Sequence, residues 1–272
     1  MKLTISLAQI DIALGDPGTN LALARDWVAE AARRGSDLVL FPELWSTGYD
    51  LERAPELSAS MPGGLAAEMA ALAAGHHIWL AGSILALNDH GRPANTALLF
   101  DSGGGLVAVY RKIHLFGLMD EDRYLAAGEA MTLVETPWGS AGLGICYDLR
   151  FPEFFRTYAL AGARLVLLPS EWPTPRLAHW RTLLRARAIE NQMYMIAANR
   201  VGRDRANEFG GHSAIIDPRG EIVVEGGKGQ VLLTATIDVD AVAEVREHIP
   251  VFRDRRPELY QQSQTPKPAR TK

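Results

Sequence analysis

The sequence predicts an α/β layered fold. Three observations carry that expectation. Short apolar strands alternate with helices along most of the chain, a glycine-rich turn joins two strands as an antiparallel hairpin, and a segment running from helix end through glycine, apolar strand and proline to tryptophan occurs twice.

The elements follow in order. LTISLAQI (3–10) alternates apolar and polar residues as a half-buried strand does, and NLALARDWVAEAARRG (20–35) has helical apolar spacing that stops at Gly35. DLVLF (37–41) is a short apolar strand. A helix over 64–74 leads into the strand IWLAGSILAL (78–87). ANTALLFD (94–101), the turn SGGG and LVAVYRK (106–112) form the hairpin. After a loop, AGLGI (141–145) is a strand ending at Cys146, and FPEFFRTYALAGA (151–163) is a helix ending near Gly162. RLVLL (164–168) is a strand and RLAHWRTLLRARAIENQ (176–192) a long helix, on which Arg185, Arg187, Glu190 and Asn191 are spaced for structural pairing. MYMIAAN, GHSAIID, GEIVVE and QVLLTATID supply further strands. A helix over 239–248 and a tail rich in proline and charge close the chain.

The repeated segment pairs ARRGSDLVLFPELW (32–45) with LAGARLVLLPSEW (160–172). If the two are related, the chain folds as two similar halves facing each other, with Glu43 and Ser170 at equivalent strand ends. Open α/β sheets gather ligands at the carboxyl ends of their strands. Glu43, Lys112 and Cys146 are the three reactive side chains at such ends.

Composition narrows the function classes. The 272 residues suit one large domain or two small ones, and 47% hydrophobic content supplies a sizeable core. A net charge of -4 gives no electrostatic reason to expect nucleic acid or an anionic membrane as a partner. One cysteine forms no internal disulfide, the chain opens on no cationic-then-apolar leader, and no apolar run approaches the ~20 residues that span a bilayer. The expectation is a soluble cytoplasmic protein.

Cys146 alone reads equally well as a small core residue. Its place at a strand-to-helix turn favours a nucleophile, since the backbone amides of Tyr147 and Asp148 there can face an anion; Asp148 can equally cap the following helix. Glu43, flanked by Phe41, Pro42, Leu44 and Trp45, is a candidate base, because apolar surroundings favour proton uptake by a carboxylate. Lys112 reads either as a surface lysine on an edge strand or as a fixed cation beside a developing oxyanion. No G-x-S-x-G or HExxH occurs, one cysteine excludes a multi-thiolate zinc site, and the glycines of SGGGL and EGGKGQ lack the context of a phosphate loop.

FPELWSTGY, YRKIHLF and GICYDLRFPE, in that order, resemble the nitrilase (carbon-nitrogen hydrolase) superfamily, and the likeness runs from about residue 3 to about residue 260. The resemblance implies a Glu43–Lys112–Cys146 triad, with Glu121 in FGLMDEDRYLAAGE as a second glutamate. EWPTPRLAHWRTLLRARAIENQ, NEFGGHS and EVREHIPVFRDRRPELY are most similar to the omega-amidase branch, of the bacterial type linked to methionine salvage. It further implies a four-layer αββα sandwich over 1–250 pairing into an αββααββα homodimer, with a tail over 251–272 that packs at the dimer interface and is then disordered. The implied reaction needs no cofactor and no metal. It hydrolyses a small omega-amide of a 2-oxo acid, such as 2-oxoglutaramate or 2-oxosuccinamate, through a cysteine thioester, with Lys112 and the Tyr147 amide on the oxyanion. Arg176 is the candidate for the substrate carboxylate, with Trp172 and Tyr49 lining the pocket; a solvated helix-end charge is the alternative for Arg176. An N-carbamoyl-amine or deaminated-glutathione amidase would keep the triad and change the pocket, as would a nitrilase. A redox-sensing thiol or a non-catalytic partner is the reading from another class.

Overall fold

The structure is a computed structural model and describes residues 1–260. The first half of the chain runs β1 (Lys2–Gln9), α1 (Pro17–Arg33), β2 (Leu38–Leu40), α2 (Ala54–Leu57), α3 (Leu65–His76), β3 (Trp79–Leu87), β4 (Pro93–Phe100), β5 (Leu106–Arg111) and α4 (Glu121–Tyr124). The second runs β6 (Leu133–Thr136), β7 (Gly139–Leu143), α5 (Pro152–Leu160), β8 (Leu165–Ser170), α6 (Leu177–Asn191), β9 (Tyr194–Asn199), β10 (Val201–Arg203), β11 (Glu208–Gly210), β12 (Ala214–Ile216) and β13 (Ile222–Glu225). β14 (Val231–Asp238), α7 (Ala241–His248) and α8 (Pro257–Tyr260) follow.

Two six-stranded sheets result, ordered β14-β1-β2-β3-β4-β5 and β13-β12-β9-β8-β7-β6, with β10-β11 as a small separate ribbon. In the first sheet β1, β2 and β3 are parallel, β4 and β5 follow antiparallel, and β14 pairs antiparallel on the other edge. In the second, β7, β8 and β9 are parallel, β12 and β13 follow antiparallel, and β6 takes the other edge. The plan is the same, with β2 matching β8. The repeated segment thus occupies one position in each half. In both copies the helix ends at a glycine of positive φ, Gly35 at 72° and Gly162 at 96°, a conformation that carries no Cβ penalty only for glycine.

Helices α1 and α3 cover the first sheet, and α5 and α6 cover the second. Within β2, Leu38 and Leu40 join the core between the sheets while Val39 joins the core under α1 and α3. A parallel strand buried on both faces has no polar side to show, which is why DLVLF and RLVLL read as unbroken apolar runs.

Some boundaries differ from expectation. α1 begins at Pro17 rather than residue 20, because Asp16 accepts from the Thr19 amide and Pro17 occupies the first turn. β7 ends at Leu143, before Cys146. β6, β10 and β11 are short edge or ribbon strands whose sequences are too polar to stand out. Phe252 packs against the core beneath Arg156 and Arg246, so ordered packing extends past residue 250. The expectation for the tail falls partly on residues 261–272, which lie outside the described residues.

Candidate active site

Glu43, Lys112 and Cys146 follow β2, β5 and β7, and the fold brings these three strand ends together. Glu43 and Lys112 are fully buried and Cys146 is 7% exposed. The Lys112 ammonium donates to Glu43 Oε1 and to Glu121 Oε1, each at 2.7 Å. Tyr49 donates its hydroxyl between the same two oxygens, 2.8 Å from Glu43 and 2.9 Å from Glu121. Asn95 on β4 adds a donor 2.8 Å from Glu43 Oε1. Glu121 Oε2 accepts from the Phe116 amide at 2.6 Å. Glu43 Oε2 accepts only one bond, from the Glu171 amide at 2.9 Å. It is therefore the oxygen with room for another proton.

The backbone carries strain here. Leu44, next to Glu43, has φ 41°, and Cys146 itself has φ 45°. Neither is glycine, so both conformations persist because surrounding contacts impose them. At Cys146 those contacts centre on Asp148. Its Oδ2 accepts from the Ile145 amide at 2.8 Å and the Tyr110 hydroxyl at 2.7 Å, and its Oδ1 lies 2.7 Å from His114 Nδ1. Asp148 is thus not a cap for α5, which is preceded at the cap position by Phe151 and has no side-chain capping bond. It ties the Cys146 turn to the residues on either side of Lys112.

Electrostatics follow from burial. Burial pushes the Cys146 thiol well above its ordinary range, and the Glu43 charge adds to this against Lys112. At Lys112 burial disfavours the ammonium, but Glu121 and Glu43 outweigh it and raise the value. Burial also raises Glu121, with Lys112 opposing and Glu43 adding. Two carboxylates meet one ammonium in this cluster. The thiol needs a base in contact to ionise, and Glu43 is the carboxylate in contact with it.

A cavity of about 20 Å³ touches Cys146 and is lined by Phe116, Tyr147, Arg150, Trp172, Pro173 and Arg176. Arg176 and Trp172 both line this cavity. Arg176 lies over the Phe116 ring at 5.4 Å, and its carbonyl accepts from the Trp172 indole at 2.8 Å. Tyr49 departs from expectation: its ring borders a different cavity, beside Asp50, Met119 and Asn207, and its hydroxyl supports Glu43 and Glu121. The missed residues are Asn95, Arg150, Glu171 and Arg200. Arg150 stacks over Trp172 at 5.0 Å, placing a second guanidinium beside the thiol. Only its place four residues after the cysteine, in the same turn, marked it. Among the described residues no three His, Cys, Asp or Glu side chains are grouped to hold a metal, and no helix is long and apolar enough to cross a membrane. A wider cavity of about 550 Å³ between α6 and β12–β13 lies away from this chemistry.

Residues 4–247 match the family described as carbon-nitrogen hydrolase. The chain belongs to the carbon-nitrogen hydrolase family. It is therefore an enzyme acting on carbon-nitrogen bonds other than peptide bonds. Among its relatives, the 2-oxoglutaramate amidase of Bacillus subtilis (strain 168) is 41% identical over 260 residues, covering 96% of this chain and 100% of the relative. The human omega-amidase NIT2 is 34% identical over 265 residues, covering 94% and 96%. A CN-hydrolase superfamily protein from Xanthomonas campestris, solved with an arsenic adduct in its active site, superposes with a TM-score of 0.88 at 33% identity, covering 94% of this chain and 98% of that one. The family's two-sheet α/β fold is the one described above.

Proposed function

We propose that the protein hydrolyses the omega-amide of a small 2-oxo acid, 2-oxoglutaramate or 2-oxosuccinamate, to the acid and ammonia. The observation that carries this reading is the pair of guanidiniums, Arg150 and Arg176, on the wall of the Cys146 cavity. A neutral amide gives no reason to keep two cations there, whereas a carboxylate at the far end of the substrate does. The names of the relatives from Bacillus subtilis and human point the same way.

In the proposed mechanism Glu43 Oε2 accepts the Cys146 proton as sulfur attacks the amide carbon. Lys112 and the Tyr147 amide stabilise the oxyanion. Collapse expels the amine, which leaves as ammonia with the proton from Glu43. A water, deprotonated by Glu43, then cleaves the thioester and releases the acid. Glu121, raised by burial, keeps Lys112 in place and orients the amide. The site needs no cofactor for these steps.

The protein works in this reading as a cytoplasmic homodimer. Ile189 and Ile222, exposed at the rim of the groove between α6 and β13, are apolar side chains that a second copy would cover. Sedimentation velocity tests the dimer. The substrate is tested by ammonia release from 2-oxoglutaramate, 2-oxosuccinamate, neutral short amides, carbamoyl amines and nitriles. Preference for a neutral amide or a nitrile over both 2-oxo acids would overturn the reading.

A further inference from the structure

Glu171 is the first residue after β8 and is fully buried. It reaches the catalytic cluster through its backbone, whose N–H is the one donor on Glu43 Oε2. Its side chain points to a second buried charge. Glu171 Oε2 accepts from Arg200 Nη1 at 2.8 Å, while Glu171 Oε1 has no partner. Arg200, the first residue after β9, is itself fully buried and donates through Nη2 to the carbonyl of Ile12 at 2.9 Å and of Arg203 at 3.2 Å. Its guanidinium covers the Phe209 ring at 4.5 Å, and its amide donates to Ser170 at 3.1 Å. The pair therefore joins the ends of β8 and β9 in one sheet to the loop after β1 in the other. None of these atoms lines the substrate cavity.

We propose that Glu171 is a positioning residue for the base: clamped by Arg200, it holds its backbone N–H on the free oxygen of Glu43 and sets a second carboxyl beside that base. Two consequences follow. The N–H orients Oε2, so the thiol proton has one acceptor. The carboxyl acts through charge. The groups that face it are Arg200 from β9, Glu43 from β2 with Tyr49 from the same loop, and Asp204 from the loop after β10; Asp11 lies 3.7 Å from Arg200, and Lys112, Glu121 and Cys146 stand beyond Glu43. Burial pushes Glu171 up to about 8, with Arg200 opposing and Glu43 and Asp204 adding. An anionic oxygen without any donor is costly in such a place, which agrees with proton retention below that pH. Once Glu171 ionises, its charge repels the one on Glu43. Moving the Cys146 proton onto Glu43 relieves that repulsion, so the thiol becomes easier to deprotonate.

The inference rests on Glu43 serving as the base for Cys146, as in the proposed function, but its test needs no amide substrate. Cys146 is the only thiol in the chain, so alkylation by iodoacetamide reports it alone. In the wild type the alkylation rate rises about three- to tenfold through a step near pH 8, ahead of the ordinary alkaline rise, because a neighbouring carboxylate shifts a proton equilibrium by up to about one pKa unit. Glu171→Gln keeps the shape and one acceptor for Arg200 but cannot ionise, so the step disappears. Glu171→Asp keeps the carboxyl and retains it. With a turned-over amide, Glu171→Gln lowers kcat above pH 8 and leaves KM unchanged. A purely structural Glu171 would leave the pH profile in place and change only thermal stability. A wild type without the step, or a Glu171→Gln variant that keeps it, overturns the proposal. Failure of every amide to react would overturn the proposed function and leave the alkylation result standing.

Discussion

Replacing Lys112 by methionine tests the charge balance of the site. The ammonium is fully buried and lies 2.7 Å from both Glu43 and Glu121. Methionine preserves most of the volume and removes the cation. Removing one partner of a buried ion pair costs about 3–5 kcal/mol, because the other charge is stranded. At 2–4 °C per kcal/mol for a chain of this size class, the melting temperature falls by roughly 6–20 °C at pH 8. The loss depends on pH in a defined direction. Burial already raises Glu121 while Lys112 holds it down, so without Lys112 it rises further. A carboxyl raised in the folded state binds more protons there than in the unfolded chain, and stability then falls as pH rises from about 4.3 toward the folded value. Lys112→Met is therefore closest to wild type near pH 5 and furthest from it near pH 8. In the wild type Lys112 itself is raised, so its contribution is fully present below about 10.4 and is lost only above that. Scanning calorimetry of both proteins at pH 5 and pH 8 measures the difference. The triple variant E43Q/K112M/E121Q, with no buried charge left in the cluster, recovers stability and remains inactive. Equal losses at both pH values, or no loss at pH 8, would refute the charge argument.

Cys146→Ala abolishes turnover with the fold intact by circular dichroism, and intact-mass analysis of a slow substrate finds a single acyl adduct on the wild type alone; substantial activity in the variant would end the thioester mechanism. Arg176→Ala weakens kcat/KM for 2-oxoglutaramate by about 10- to 150-fold, from a charge-assisted bond of ~1.5–3 kcal/mol, and spares a neutral short amide; Arg176→Lys loses less. Arg150→Ala shows the same charge selectivity, and steady-state kinetics on the two substrate classes tells which arginine holds the carboxylate. Prolonged treatment with a chelator leaves ammonia release unchanged; inhibition reversed by a divalent ion would contradict a metal-free mechanism.

Helices and parallel strands were legible because their causes are local. α1 could be read from apolar spacing and a terminal glycine, and β2 and β8 from apolar runs that only a doubly buried strand needs. The three reactive residues were legible from their strand ends and flanking apolar residues, and the resemblance of their motifs placed them in one family. Arg187 and Asn191 make the bonds along α6 that their helix spacing suggested, whereas Arg185 donates instead to the Gly220 carbonyl in the β12–β13 turn.

The sequence by itself determined the order of the long helices and apolar strands, the repeated segment and the reactive residue types. Only the tertiary structure decided which atoms meet. Tyr49 turns its hydroxyl to Glu43 and Glu121, Asp148 ties the Cys146 turn to Tyr110 and His114, and Glu171 reaches Glu43 across 128 positions of chain. The physical reason is range. Periodicity and capping act over a few residues, whereas a buried hydrogen bond or ion pair depends on where distant strands end once the two sheets have packed, and no local pattern encodes that distance.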